Sequence, residues 1–126
     1  MEKKIIRTNN APAPIGPYSQ AVQFGNLLFI SGQVALDHAS GEVVQGDIKA
    51  ETHKVMQNLQ AILTEAGMDF SHVIKTSIFL MDMKQFALVN EAYGSYFSEN
   101  PPARETIQVS GLPRNVNVEI SMIAGK

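Results

Sequence analysis

One stretch of this sequence breaks the rhythm of all the others. From Ile48 to Ala66 the apolar residues Ile48, Val55, Met56, Leu59, Ile62, Leu63 and Ala66 recur at about 3.6-residue spacing, which marks a helix with one buried stripe. Asp47 stands where an N-cap belongs and Gly67 where a helix stops. Around this helix the chain is patterned in twos. Ile5-Ile6, Ala21 to Phe24, Leu27 to Val34, Val73 to Leu80, Arg104 to Val109 and Val116 to Ala124 read as strands. A second helix is predicted after the candidate cap Asp82, with Phe86, Val89, Tyr93, Tyr96 and Phe97 inward, until Pro101-Pro102 ends it. The order is βββαβαββ. A helix between two strands needs a crossover, which favours parallel pairing across each helix. The outer strand pairs are expected to be antiparallel hairpins, with Gly25-Asn26 as a two-residue turn. The class is α+β, a mixed six-stranded sheet with two helices on one face. Nothing in the chain is left over for the second sheet face, so oligomerisation is predicted to cover it.

Length and composition narrow the function. At 126 residues, 44% hydrophobic and 17% charged, the chain reads as one globular domain, 1–126, without repeat or linker. Absence of cysteine excludes disulfides, thiolate catalysis and Cys-ligated zinc. A net charge of −2 with scattered Lys and Arg argues against nucleic acid as a partner. No apolar run approaches the ~20 residues that span a bilayer. Lys3-Lys4 are not followed by an apolar core, so no signal peptide is expected, and a cytoplasmic location fits. Two loops stand out: the stiff stretch from Asn10 to Pro17, rich in proline, and the polar stretch from Asp37 to Gly46.

Few residues are placed to do chemistry. Strand alternation puts Arg104, Thr106 and Gln108 on one face, and Glu105, Ile107 and Val109 on the other. In the last strand Val118, Ile120 and Met122 form the helix-facing set, with Glu119 opposite. If Ile107 and Val109 also face the helices, Arg104 and Glu119 share the other face. An Arg and a Glu on a covered face are either a structural ion pair or a site, and pattern alone weighs the two equally. Gly32, after Ser31 in mid-strand, implies a close approach to its backbone, by another chain or by a ligand. Tyr18 follows the Pro-Gly-Pro loop and can pack as a lid or donate its hydroxyl. Asn90 interrupts an apolar helix face. His38, His53 and His72 lack metal-ligand spacing and read as surface residues. No metal site is expected. There is no phosphate-binding glycine loop and no nucleophile elbow.

Together these pieces resemble a known family. Asn10-Ala11-Pro12, Ile15-Gly16-Pro17-Tyr18, Ser31-Gly32-Gln33, Asn90, Pro102-Ala103-Arg104, Leu112-Pro113 and Val118-Glu119-Ile120 resemble, in order, the motifs of the RidA (YjgF) family. The resemblance implies a chorismate-mutase-like fold and a homotrimer, with a central barrel of three sheets and active sites in the clefts between subunits. It implies a cofactor-free deaminase that hydrolyses reactive 2-imino acids, or their enamine tautomers, to 2-oxo acids and ammonia. Such intermediates are released by pyridoxal-phosphate dehydratases. Arg104 then matches the residue that binds the substrate carboxylate, and Glu119 the one that activates water. Tyr18, Ser31, Gly32 and Asn90 match positions lining the cleft. Many deaminase members have a small residue directly after the arginine and often cysteine next. Here those positions are Glu105 and Thr106, which bears on substrate range.

Two other functions fit parts of the pattern. A non-enzymatic sensor of small carboxylates would use the same arginine but gains nothing from a facing glutamate. Some family members are described as ribonucleases that inhibit translation. Against that stand the acidic balance and the lack of a histidine pair for acid–base cleavage.

Overall fold

The computed structural model describes residues 2–44 and 46–126; Met1, and Gln45 within the second predicted loop, lie outside them. Its strands are β1 (Lys3–Ile6), β2 (Ala21–Phe24), β3 (Leu27–Gln33), β4 (Val73–Leu80), β5 (Ala103–Gln108) and β6 (Val118–Gly125). Helix α1 (Ile48–Glu65) joins β3 to β4, and α2 (Phe86–Gly94) joins β4 to β5. The Asp47 side chain caps α1 by accepting from the Ala50 N–H at 2.8 Å. Gly67, at φ 75°, takes the left-handed turn that ends it. Asp82 caps a short helical turn, Met83–Gln85, that runs directly into α2. That helix stops at Gly94 rather than at the prolines, so Tyr96 and Phe97 pack from the segment beyond it.

The six strands form one mixed sheet in the order β1-β2-β3-β6-β4-β5. The N-terminal hairpins are antiparallel and β4–β5 is parallel across α2, as predicted. Two expected pairings are absent. The strands flanking α1, β3 and β4, do not touch, because β6 inserts between them antiparallel to both. For the same reason β5 and β6 form no hairpin. The insertion buries β6 in mid-sheet, which fits its alternation of fully buried Val118, Ile120 and Ala124 with half-buried neighbours.

Both helices lie on one face. The stripe of α1 packs on β3 and β6, and its buried residues include Val55, Met56, Leu59, Ile62 and Leu63. Cross-strand partners point to the same side, so one row of the helix face runs Ile6, Ala21, Ile30, Met122, Thr76, Arg104. The opposite face carries Ile5, Phe24, Leu27, Phe29 and Ile107, each 39–50% exposed. Large apolar side chains thus stay in water on that face, from β1 to β3 and again on β5.

Candidate active site

The row that ends in Arg104 overturns one expectation. Arg104 pairs with Thr76 and Thr106 with Ile78, both fully buried beneath the helices. Ile107 pairs with Phe79, which pairs with Glu119. Arg104 and Thr106 therefore face the helices, whereas Ile107 lies on the open face with Glu119. Within one chain the arginine and the glutamate stand on opposite sides of the sheet. The error lay in taking Ile107 as a core marker: the open face is itself apolar.

On the helix side, Arg104 lies against two aromatic rings of α2. Its guanidinium carbon is 5.5 Å from the Phe86 centroid and 5.2 Å from that of Tyr93. These contacts seat the cation against two aromatic rings. The Tyr93 hydroxyl is 2.9 Å from Thr76 Oγ1, and burial pushes its pKa up. Asn90 falls in helical phase between Phe86 and Tyr93, half-buried, on the side of α2 that meets Arg104. Thr106 Oγ1 is the one buried side-chain polar atom without a hydrogen-bond partner among the described residues. Glu105, facing the other way, is ion-paired to Lys75 at 3.0 Å and bonded to Ser77. The Ser77 bond and the lysine hold its carboxyl below the usual carboxylate range.

Glu119 belongs to a separate cavity of about 380 Å³ that also takes in Tyr18, Ser31 and Gly32. A register shift between Ile30 and Gln33 makes Ser31 and Gly32 together oppose Ser121. The bulge interrupts the pairing with β6, while the Ser31 N–H still donates to the Gln20 carbonyl at 2.9 Å on the β2 side. The Ser31 hydroxyl is already committed, donating to the Ser19 carbonyl at 2.6 Å. Gly32 has a specific steric reason. A Cβ there would lie 2.8 Å from both Cδ and Oε2 of Glu119, so the close neighbour is this chain's own carboxylate. Burial pushes the Glu119 carboxyl above the usual range, with no hydrogen bond or charge offsetting it. Tyr18, half-exposed at the rim, accepts weakly from the Ile15 N–H at 3.4 Å.

The seven predicted site residues thus fall into two groups. Tyr18, Ser31, Gly32 and Glu119 meet in the cavity; Arg104, Thr106 and Asn90 gather beside α2. Sequence reading missed Arg114, which lines the cavity from a turn in which it and Asn115 are both left-handed, at φ 60° and 56°. It also misplaced His53, whose Nδ1 lies 2.9 Å from the Tyr96 hydroxyl, between the α1 helix and the chain beyond α2.

Gly32→Ala follows from this geometry. Only the free end of Glu119 has to swing aside, so the thermal midpoint is expected to change little. The carboxylate leaves its seat, and its titration, followed by NMR of the labelled carboxyl carbon, is expected to move down toward the ordinary carboxylate range. An unchanged titration in Gly32→Ala would show that the carboxylate keeps its seat.

The fold and cavity define a class: a mixed sheet backed by two helices, with a half-buried carboxylate at a bulge. Residues 8–126 match the family described as Endoribonuclease L-PSP, and the chain belongs to that family, which takes in the RidA and RutC proteins. It is 55% identical over 126 residues to Protein DfrA of Myxococcus xanthus, covering 98% of this chain and 96% of that one. It is 50% identical over 122 residues to the 2-iminobutanoate/2-iminopropanoate deaminase of Mus musculus, covering 97% and 90%. The crystal structure of the YjgF gene product from E. coli superposes with a TM-score of 0.93 at 39% identity, covering 98% of each chain.

Proposed function

We propose that this chain is a cofactor-independent hydrolase that converts 2-imino acids, or their enamine tautomers, to 2-oxo acids and ammonia. It acts in the cytoplasm on intermediates released by pyridoxal-phosphate dehydratases. The observation that carries the reading is Glu119: a carboxylate without a bonded partner among the described residues, half-buried against Gly32 in a cavity large enough for a small acid. A raised pKa makes it a better base. It takes a proton from a water that attacks the imine carbon, and the resulting carbinolamine expels ammonia as the C=O forms. Water supplies the oxygen, and the nitrogen leaves with the protons.

The substrate carboxylate needs a cation, and Arg104 is the one with an aromatic seat. Its side of the sheet excludes it from the Glu119 cavity of the same chain. The reading therefore takes the working unit as a homotrimer with sites between subunits, Glu119 from one copy and Arg104 from the next. The exposed apolar sheet face supports the assembly. Thr106, whose hydroxyl lacks a partner, is the neighbour best placed to tune substrate range. A sensor of carboxylates would be weakened by an unpaired Glu119, and a ribonuclease site would want a histidine that the cavity lacks.

The test is a coupled assay. Threonine and a threonine dehydratase are supplied, and 2-oxobutanoate formation is followed with and without this protein. Acceleration is expected. No acceleration by a folded protein that sediments as a trimer at micromolar concentration would overturn the reading.

A further inference from the structure

The buried stripe of α1 contains one acid. Glu51 is 5% exposed and, among the described residues, has no cationic partner. Its Oε2 accepts from the backbone N–H groups of Asn117 at 2.7 Å and Val118 at 3.1 Å. Its Oε1 accepts from the Asn117 side-chain amide at 2.9 Å. The Asn117 carbonyl, in turn, accepts from the Met81 N–H at 3.1 Å. The two residues directly before Glu119 are therefore clamped, from α1 on one side and from the end of β4 on the other.

A carboxylate is a demanding way to join a helix to a strand. It must be stripped of water, and only its charge-assisted bonds offset that. An apolar side chain would fill the same space without the risk of an uncompensated charge. What the acid adds is direction. A double acceptor aimed at two consecutive N–H groups fixes both the position and the rotation of the chain entering β6. Rotation matters here because the next side chain lies close against Gly32, with its Cδ and Oε2 2.8 Å from where a Cβ would stand.

We infer that Glu51 is a positioning residue: it fixes the backbone at Asn117 and Val118 and so holds the Glu119 carboxylate over Gly32 in the cavity. Its kinetic consequence rests on the deaminase reading; its structural consequence does not. The other titratable side chains of the cavity wall are Tyr18 and Arg114, and neither contacts Glu51 through a hydrogen bond or ion pair among the described residues.

The experiment uses the full chain with Glu51→Leu, which fills the space but accepts no hydrogen bond. Asn117→Ala, which removes only the side-chain bond, is the milder companion. Imine turnover is measured as kcat and KM separately, and Glu119 ionisation is followed by NMR of its labelled carboxyl carbon. In Glu51→Leu, kcat is expected to fall about 10- to 100-fold with KM within about twofold, the scale of a displaced catalytic group. The Glu119 titration is expected to move down toward the ordinary carboxylate range as the side chain gains water, and the acid limb of kcat with it. Asn117→Ala should shift both the same way, by less. A lowered thermal midpoint with the Glu119 titration and kcat unchanged in both variants would overturn the inference. If the wild type does not hydrolyse imines, the deaminase reading fails, and the NMR titration alone decides the role of Glu51.

Discussion

Mixing Arg104→Ala chains with Glu119→Gln chains is expected to restore an activity that neither has alone. Each variant should be nearly inactive. Arg104→Ala removes a two-pronged grip on the substrate carboxylate; two charge-assisted bonds of about 1.5 kcal/mol or more each put the loss in kcat/KM at roughly 10²-fold or greater. The fold should tolerate the change, because Arg104 gives up mainly its contacts with Phe86 and Tyr93, worth about 0.5–1 kcal/mol at an accessible site. Recovery follows from the sheet. Arg104 shares a row with Thr76, and Glu119 shares the opposite face with Phe79, so a site using both must draw them from two copies. A mixed cyclic trimer, two copies of one variant and one of the other, contains a single site with both donors intact, so about a third of wild-type activity should return. Chains carrying different tags, co-expressed and purified for both, allow the measurement. If both residues came from one chain, every site in the mixture would lack one of them. No recovery in verified mixed oligomers would therefore exclude the intersubunit site.

Much of this was legible before any coordinates. The two helices and all six strand cores follow from periods of about 3.6 and 2, and the caps at Asp47 and Asp82 from residue type. The insertion of β6 between β3 and β4 was not legible, because pairing across forty or more residues leaves no local trace. The side of the sheet was misread for a related reason. Alternation separates Arg104 from Ile107 but carries no absolute sign, and an apolar Ile107 points inward only if the outer face is wet. Here Phe29, Leu27 and Ile107 make that face apolar too, so the rule had nothing to discriminate. The family motifs single out Arg104 and Glu119 but are silent on which copy supplies each. Glu51 was visible in principle: it falls in phase with Ile48, Val55 and Asn58 on a stripe that is otherwise mostly apolar. A charge on a buried stripe is the signal for a clamp, and its partner is legible only in three dimensions.

Glu119→Gln is expected to make the protein more stable and far less active. The carboxamide keeps the shape that fits Gly32, and Arg104 is untouched, so KM should change little. What disappears is the base, and kcat should drop by about 10²–10⁴-fold. The stability gain has the opposite sign to that of most carboxylates. In the folded chain burial raises the Glu119 pKa, while the unfolded chain titrates at the ordinary value. Between those two values the native state binds more protons than the unfolded state, so wild-type stability falls as pH rises. Below the window both states are protonated and the penalty is absent. Above it the penalty is full and constant. Glutamine never ionises, so the thermal midpoint of Glu119→Gln should exceed that of the wild type at neutral pH, and the two should converge as pH falls through the window. Melting curves across the acid range measure this directly. A gain that persists unchanged in acid would assign it to packing instead, and retained turnover would remove Glu119 from the mechanism. The two readouts moving together, stability up and turnover down, would mark a side chain held out of water at the fold's expense because the chemistry needs a strong base there.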